Sequence, residues 1–401
     1  MKLVCVLLTM SLAVNAADKA GMSSEQLAKI PQRMKAFVDQ KRIAGVVTLV
    51  ARHGVITEFD AVGMQDIEAG KPMSKDSIFQ IMSMTKPFVG AAIMMLVDEG
   101  RVVISDPVEK YLPEFRGQMV ADVKDGVKIL RKPTRPITVR DCMTHTSGLS
   151  YGPFPGMVEQ NTRMDRTLAD AMLVYSQQPL EFDPASKWQY SNIGIAVLGR
   201  IIEVTSGMLF EKFIETRIFQ PLGMKDSHFF LPVEKQGRLA PVYRLVDGKL
   251  AKADGTILGG DPMQFRKGAK YPAPEWGLYT TAADLLPFYQ MLLSGGKVGG
   301  KQLISKASVD TMSSVHTADL RSGHMPGTAF GLTVEVVRDG GGLGEEHLLS
   351  AGTFGHGGAF NTHGWMDKKK DMIGIFLIQN AFASGDIKYA FMAMANAAVI
   401  E

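Results

Sequence analysis

Cysteine is almost absent from this sequence of 401 residues, with Cys5 and Cys142 the only two. Cys5 falls in a leader-like segment expected to be removed, so no disulfide is expected within the remaining chain. Long apolar runs are missing as well. Beyond the first residues, no segment stays apolar for the roughly 20 residues that a membrane span needs. Neither sign of charge predominates. The 44 Lys and Arg against 41 Asp and Glu leave a net +3, too little to draw nucleic acid. The densest basic run, Lys368-Lys369-Lys370, is flanked by Asp367 and Asp371 and reads as a solvated turn. The eight histidines are scattered, with no His-Glu-x-x-His and no Cys/His cluster, so a metal site is unsupported. There is no Gly-x-Ser-x-Gly elbow, Rossmann fingerprint or Walker loop. No metal and no cofactor is expected. Stability must come from a sizeable core, which this length and a 46% hydrophobic content can supply.

What is present begins with a leader. Lys2 supplies a short positive region, Leu3 to Leu12 is mostly apolar, and Val14-Asn15-Ala16 resembles a small-residue cleavage site. The expectation is a signal peptide over residues 1–16, one domain over 17–401, and a periplasmic or secreted protein. A buried N-terminal strand or helix is the alternative.

Ser23 with Gln26 has the form of a capping box, and Leu27, Ile30, Met34, Phe37 and Val38 share a helical face. Pro31 either kinks that helix or opens its main part. Gly45 to Arg52 and Val55 to Val62 read as two strands around His53-Gly54, a hairpin. From Ser83 to Glu99 the period is helical, with Met84, Phe88, Ala91, Met95 and Leu96 on one face and Gly100 as the stop. Residues 101–270 are rich in helix and turn signals. Within them, Ile193 to Val204 is amphipathic and ends at Gly207, and 230–275 reads as irregular. Strand signals return late, at Phe330 to Val337, Thr353 to Phe360, His363 to Met366 and Met372 to Gln379. The glycine run from Gly340 to Gly344 reads as a turn, and Asp386 to Val399 as a last helix. Two or three N-terminal strands cannot bury a core alone. The expected fold is therefore α+β: one antiparallel sheet built from N- and C-terminal strands, flanked by helices, with a mainly helical insertion at about 101–270. Separate terminal domains are the alternative.

Four short motifs can carry chemistry. In Ser83-Met84-Thr85-Lys86 a strand-like segment, Ser77 to Ile81, leads into a helix, and positions i and i+3 share a face. A serine hydroxyl needs a base, and a lysine serves only where burial or a positive field lowers its pKa. Spacing alone is weak, because Ser294-Gly295-Gly296-Lys297 repeats it in a glycine turn. Tyr190-Ser191-Asn192 offers a phenol for proton relay and an amide to orient the lysine, although taken alone a plain helix cap is the better explanation. His356-Gly357-Gly358-Ala359 sits in a strand where glycines let a ligand near the backbone, as an oxyanion hole requires; a bulge is the plainer reading. His145-Thr146-Ser147-Gly148-Leu149 reads as a loop supporting the site, with Cys142 a buried thiol nearby.

In this order, the motifs resemble those of the penicillin-recognising serine hydrolases: class C β-lactamases, family VIII carboxylesterases, D-amino-acid peptidases and low-molecular-mass DD-peptidases. The resemblance runs from about Met34 to the last helix and includes Gln220-Pro221-Leu222-Gly223-Met224 and Gly277-Leu278-Tyr279-Thr280-Thr281-Ala282-Ala283-Asp284. It implies the family's α/β sandwich, with a cleft between sheet and helical region. It also implies that Ser83 is acylated, that Lys86 takes its proton, and that Tyr190 helps deprotonate Ser83 or protonates the leaving group. Asn192 would touch substrate or Lys86, His356, Gly357 and Gly358 would line the substrate, and the backbone N–H groups of Ser83 and Ala359 would form the oxyanion hole.

One departure matters. Class C β-lactamases carry Lys-Thr-Gly where this chain has His356-Gly357-Gly358. A histidine offers a weaker charge to a substrate carboxylate. The expected substrates are therefore carboxylic esters or small amides. Small peptides are the alternative, since periplasmic peptidases that cut linearised cyclic peptides share the same motifs. A non-catalytic receptor for cell-wall fragments or β-lactams is the rival of another class. The expected partner is a small-molecule ester or peptide, with no nucleic acid and no stable membrane insertion.

Overall fold

The computed structural model describes residues 16–152, 164–253, 268–324, 327–338, 348–381 and 383–400. The leader up to residue 15 and the glycine run from Gly340 to Gly344 lie outside the described residues. In chain order the strands are β1 (Gly45–Arg52), β2 (Val55–Asp66), β3 (Lys71–Pro72), β4 (Phe79–Gln80), β5 (Val120–Lys124), β6 (Val127–Arg131), β7 (Tyr243–Val246) and β8 (Lys249–Lys252). They continue with β9 (Tyr279–Thr280), β10 (Lys297–Val298), β11 (Lys301–Gln302), β12 (Thr328–Phe330), β13 (Glu335–Val337), β14 (Phe354–Gly357), β15 (His363–Asp367) and β16 (Met372–Leu377).

Strand β1 organises the molecule because all eight of its residues are buried. Its Val47, Leu49 and Ala51 enter one core, and Val46 and Val50 enter another on the opposite face. Each such side chain contributes about 2 kcal/mol when fully removed from water. His53 and Gly54 have φ of 52° and 73°, so the turn to β2 keeps both central residues left-handed, as a tight hairpin requires. The other edge of β1 pairs with β16, placing Val47 opposite Leu377 and Arg52 opposite Met372. Strands from the two ends of the chain thus form one antiparallel sheet, ordered β12-β13-β14-β15-β16-β1-β2-β3.

Helices Lys29–Asp39 and Asp386–Ala397 cover one face through Ile30, Met34, Phe37 and Phe391. The main part of the first helix includes Pro31, near its start, and Ser23 caps the short preceding turn by accepting from the Gln26 amide. Helices Lys86–Asp98 and Ala282–Leu293 cover the other face. The former is buried all round from Lys86 to Leu96, more than the single apolar face its sequence pattern implies. Gly100, at φ 69°, ends it.

Two features of the middle and late chain differ from the sequence reading. Residues 101–270 hold the helices Val139–Thr144, Leu168–Tyr175, Asn192–Ser206 and Phe210–Ile214, but also the hairpins β5–β6 and β7–β8. Both turn on Asp-Gly, with positive φ at Asp125, Gly126, Asp247 and Gly248. Phe330 to Val337 is two paired strands, β12 and β13, rather than one. The chain reverses between them, with Thr333 at φ 62°. A β-branched residue is a poor left-handed turn former, so Gly331 alone marks the reversal in the sequence. Among the described residues, no single helix is long and apolar enough to cross a membrane.

Candidate active site

The site is built on a turn held from two sides. Met82–Thr85 is a 3₁₀ turn, and the α-helix starts only at Lys86. Pro87 fits the first turn because its missing N–H has no partner to lose there. Met82, just before Ser83, has φ 52°, a strained value for a side-chain-bearing residue. The turn stays in place because Ile81 N–H donates to the Leu278 carbonyl (3.0 Å) and Leu278 N–H donates to Thr85 Oγ1 (3.2 Å). Ser83 itself is half-buried, facing the cleft.

Lys86 is fully buried and all its contacts are directional. Nζ lies 3.0 Å from Ser83 Oγ, 2.9 Å from Asn192 Oδ1 and 2.7 Å from the main-chain carbonyl of Glu275. Burial pushes its pKa down to about 7, against the opposing pull of Glu275. Neutral Lys86 can donate to Asn192 and Glu275 and still turn its lone pair to the Ser83 hydroxyl. Its Nζ also sits 4.7 Å from the centre of the Tyr190 ring.

The cap expected of residues 190–192 is present, and the same segment brings Tyr190 and Asn192 beside Lys86. Ser191 Oγ accepts from the Gly194 amide and caps the helix Asn192–Ser206, while donating to the Ser150 carbonyl. That cap leaves Asn192 on the first turn, turned to Lys86, and Tyr190 just outside the helix. Burial raises the Tyr190 pKa well above the usual tyrosine range, although its hydrogen bond with Ser83 opposes this. Tyr190 is therefore a neutral phenol.

His145 closes the helix Val139–Thr144 in a left-handed conformation, and its Nδ1 accepts from the Ser191 amide at 3.1 Å. Its ring stacks 4.3 Å from Tyr190, and burial drives its pKa well below the usual histidine value. His145 thus supports the site as a neutral, packed ring. Cys142 is a buried free thiol whose backbone packs close to Gly194 on the capped helix.

Strand β14 forms the opposite wall. His356 is buried, its Nδ1 donates to the Gly357 carbonyl at 2.6 Å, and burial together with Lys86 pushes its pKa down to about 3. The imidazole is neutral at physiological pH. Gly358 lies so near the Ser83 turn that a Cβ there would fall 2.3 Å from the Ile81 carbonyl oxygen. Only glycine permits that approach. Thr362 Oγ1 also donates to this carbonyl, at 3.0 Å. Ala359 follows and is exposed. The structure thus brings Ser83, Lys86, Tyr190, Asn192, His356, Gly357 and Gly358 together, with Ala359 at their edge. Ser294 and Lys297, by contrast, are both exposed at a turn containing positive-φ Gly295 and Gly296.

Three residues escaped the sequence reading. Glu275 meets Lys86 through its carbonyl oxygen, and a carbonyl leaves no sequence signature. His324 meets Tyr190 edge-on with ring centres 4.9 Å apart, and its Nδ1 is 3.7 Å from the carboxylate of partly buried Glu335. Trp188 borders the same ring cluster, 5.9 Å from His324. Its spacing of two from Tyr190 in an extended segment was the available signal.

Comparison with known proteins adds an independent line. The Beta-lactamase family model matches residues 30–399. Esterase EstB of Burkholderia gladioli is 30% identical over 381 residues, covering 89% of this chain and 92% of its own. Lovastatin esterase of Penicillium rubens is 29% identical over 380 residues, covering 86% and 91%. Among solved structures, EstCE1, a hydrolase with promiscuous acyltransferase activity, superposes with a TM-score of 0.78 at 26% identity, covering 93% of this chain and 99% of its own.

Proposed function

Since the chain belongs to the beta-lactamase family and is a serine hydrolase of that fold, we propose that it cleaves carboxylic esters or small amides through an acyl-Ser83 intermediate. The observation that carries this reading is the buried Lys86 Nζ, 3.0 Å from Ser83 Oγ and half neutral near pH 7. Ser83 Oγ attacks the substrate carbonyl carbon as its proton passes to Lys86. The resulting oxyanion takes the N–H groups of Ser83 and Ala359. Tyr190, a neutral phenol, gives its proton to the leaving oxygen or nitrogen and recovers one from the Lys86 ammonium. Water, deprotonated along the same path, then releases the acid and frees Ser83.

Ester substrates are favoured by the wall at His356, which presents a neutral ring where β-lactam recognition uses a cation. A second reading, cleavage of small peptides, rests on His324. Lying beside Glu335 and edge-on to Tyr190, its ring can offer a hydrogen bond to a substrate carboxylate. The leader-like first residues support export to a periplasm or out of the cell; the mass of the mature protein, starting near Ala17 or at Met1, tests this.

The deciding experiment sets the protein beside Ser83→Ala on short p-nitrophenyl esters, a chromogenic cephalosporin and a panel of D- and L-peptides. Ester turnover that vanishes in the variant supports the proposal. Preference for peptides moves the assignment to the second reading. A stable acyl adduct by intact mass, with no turnover, makes the protein a receptor.

A further inference from the structure

Joined to Lys86 through the Glu275 carbonyl is a buried acidic and phenolic cluster that the acyl-transfer steps do not use. Glu275 is 4% exposed, and its carboxylate accepts from Tyr271 Oη at 3.0 and 3.3 Å. Tyr271 is itself buried and stands 3.4 Å from Tyr175 Oη, at the end of the helix Leu168–Tyr175. The Tyr271 proton is committed to the carboxylate, so Tyr175 donates to Tyr271. A carboxylate so deep is tolerated only when hydrogen-bonded and opposed by a positive charge.

The segment that carries Glu275 is rigid. Gly277 and Trp276 both donate to the Ala273 carbonyl, at 2.7 and 3.0 Å, and Ala273 adopts φ 54°. A Cβ at Gly277 would fall 2.0 Å from the Pro272 carbonyl oxygen, so the turn closes only with glycine. Leu278, three residues beyond Glu275, is tied to both Ile81 and Thr85 of the nucleophile turn. One short segment therefore fixes Ser83 on one side and presents a carbonyl to Lys86 on the other.

From this geometry we propose that Glu275 is a positioning residue for Lys86: its main-chain carbonyl aims Nζ at Ser83, and its buried carboxylate sets the protonation of that nitrogen. The proposal rests on the reading of Lys86 as the base. The groups that face Lys86 are Ser83 from its own turn, Tyr190 and Asn192 from the capped segment, His145 from the helix before it, His356 from β14, and Glu275. His145 and His356 are neutral, so Glu275 supplies the negative charge that opposes burial. Without it Lys86 would lose its proton at lower pH, and the base would be weaker.

The test is the pH profile of kcat/KM on a p-nitrophenyl ester, whose acid limb reports the base in the free enzyme. Glu275→Gln keeps the shape and the main-chain carbonyl but removes the charge. Its acid limb is expected to move down by about one pH unit, with the plateau lowered several-fold. Glu275→Asp, which keeps the charge, is expected to hold the limb nearer its wild-type position. An unmoved limb in Glu275→Gln overturns the proposal. Should Glu275→Gln fail to fold, the carboxyl carbon of Glu275 in the wild-type protein, followed by ¹³C NMR from pH 6 to 8, decides. A charged carboxylate throughout supports the role, and a protonated one overturns it. Lys86→Ala, run alongside, separates the two questions: activity surviving in that variant sinks the base assignment itself.

Discussion

Two stretches of this chain have the same Ser-x-x-Lys spacing and opposite surroundings. At Ser83 and Lys86 the turn runs into a buried helix, the lysine is completely enclosed, and three oxygens hold its nitrogen. At Ser294 and Lys297 a helix ends, two left-handed glycines reverse the chain, and both polar side chains face water. In water a lysine keeps its proton far above neutrality and a serine hydroxyl has no acceptor strong enough to activate it. The difference lies in desolvation and fixed partners, which spacing does not encode.

The largest expected effect comes from disabling one stretch and sparing the other. Ser83→Ala and Lys86→Ala are each expected to lower kcat/KM by about 10³-fold or more, and the double variant by little more than either. Ser294→Ala with Lys297→Ala is expected to leave kcat/KM unchanged. Loss of activity in that second pair would mean the buried stretch does not act alone. A smaller effect is expected at Tyr190. Tyr190→Phe is expected to cost about 10²-fold on alkyl esters, whose leaving alkoxide needs a proton. On p-nitrophenyl esters, whose phenolate leaves readily, the cost should be several-fold at most. Equal losses on both would move Tyr190 from proton donor to a role in deprotonating Ser83.

The smallest effect concerns a buried ionisable group outside the site. Glu58, on β2, is buried and hydrogen-bonded by Thr48, and burial raises its pKa to about 8. The folded protein therefore holds this proton from about pH 4.5 to 8 while the unfolded chain releases it. Stability from this group is present below pH 4.5 and is lost as pH rises through 8. Glu58→Gln is expected to match wild type in Tm at pH 5 and to exceed it by about 2–4 °C at pH 9. An equal Tm difference at both pH values would show that the group does not stay protonated on folding.

Much of this was legible before any coordinates. The hairpin of Gly45 to Arg52 and Val55 to Val62 around His53-Gly54 was legible, and so small an N-terminal group of strands required partners from elsewhere in the chain. The nucleophile turn was legible because a strand, a serine and a helical lysine occur in order. Elsewhere the signals were outweighed. Asp125-Gly126 and Asp247-Gly248 are strong hairpin dipeptides, but they sit among helical patterns and carry short, largely exposed strands. The reversal between β12 and β13 has no turn residue to mark it beyond Gly331. Lys86's third partner is a peptide carbonyl, which every residue type owns. His324, outside any strand, has its amide held by Glu335 of β13 and its ring beside Tyr190, a long-range fact that no local pattern carries.

The pairing of β1 with β16 also sets an order in time. During synthesis the stretch around Ser83 emerges early, while β14, which supplies the opposite wall, follows only after more than half the chain has been added. On the proposed mechanism, a nascent chain thus holds an alcohol and an amine with nowhere to stabilise an oxyanion. The last strands close the sheet beside β1 and bring Gly358 against Ile81. On that mechanism, hydrolytic power would come only at the end of folding, and an unfinished chain would be chemically silent.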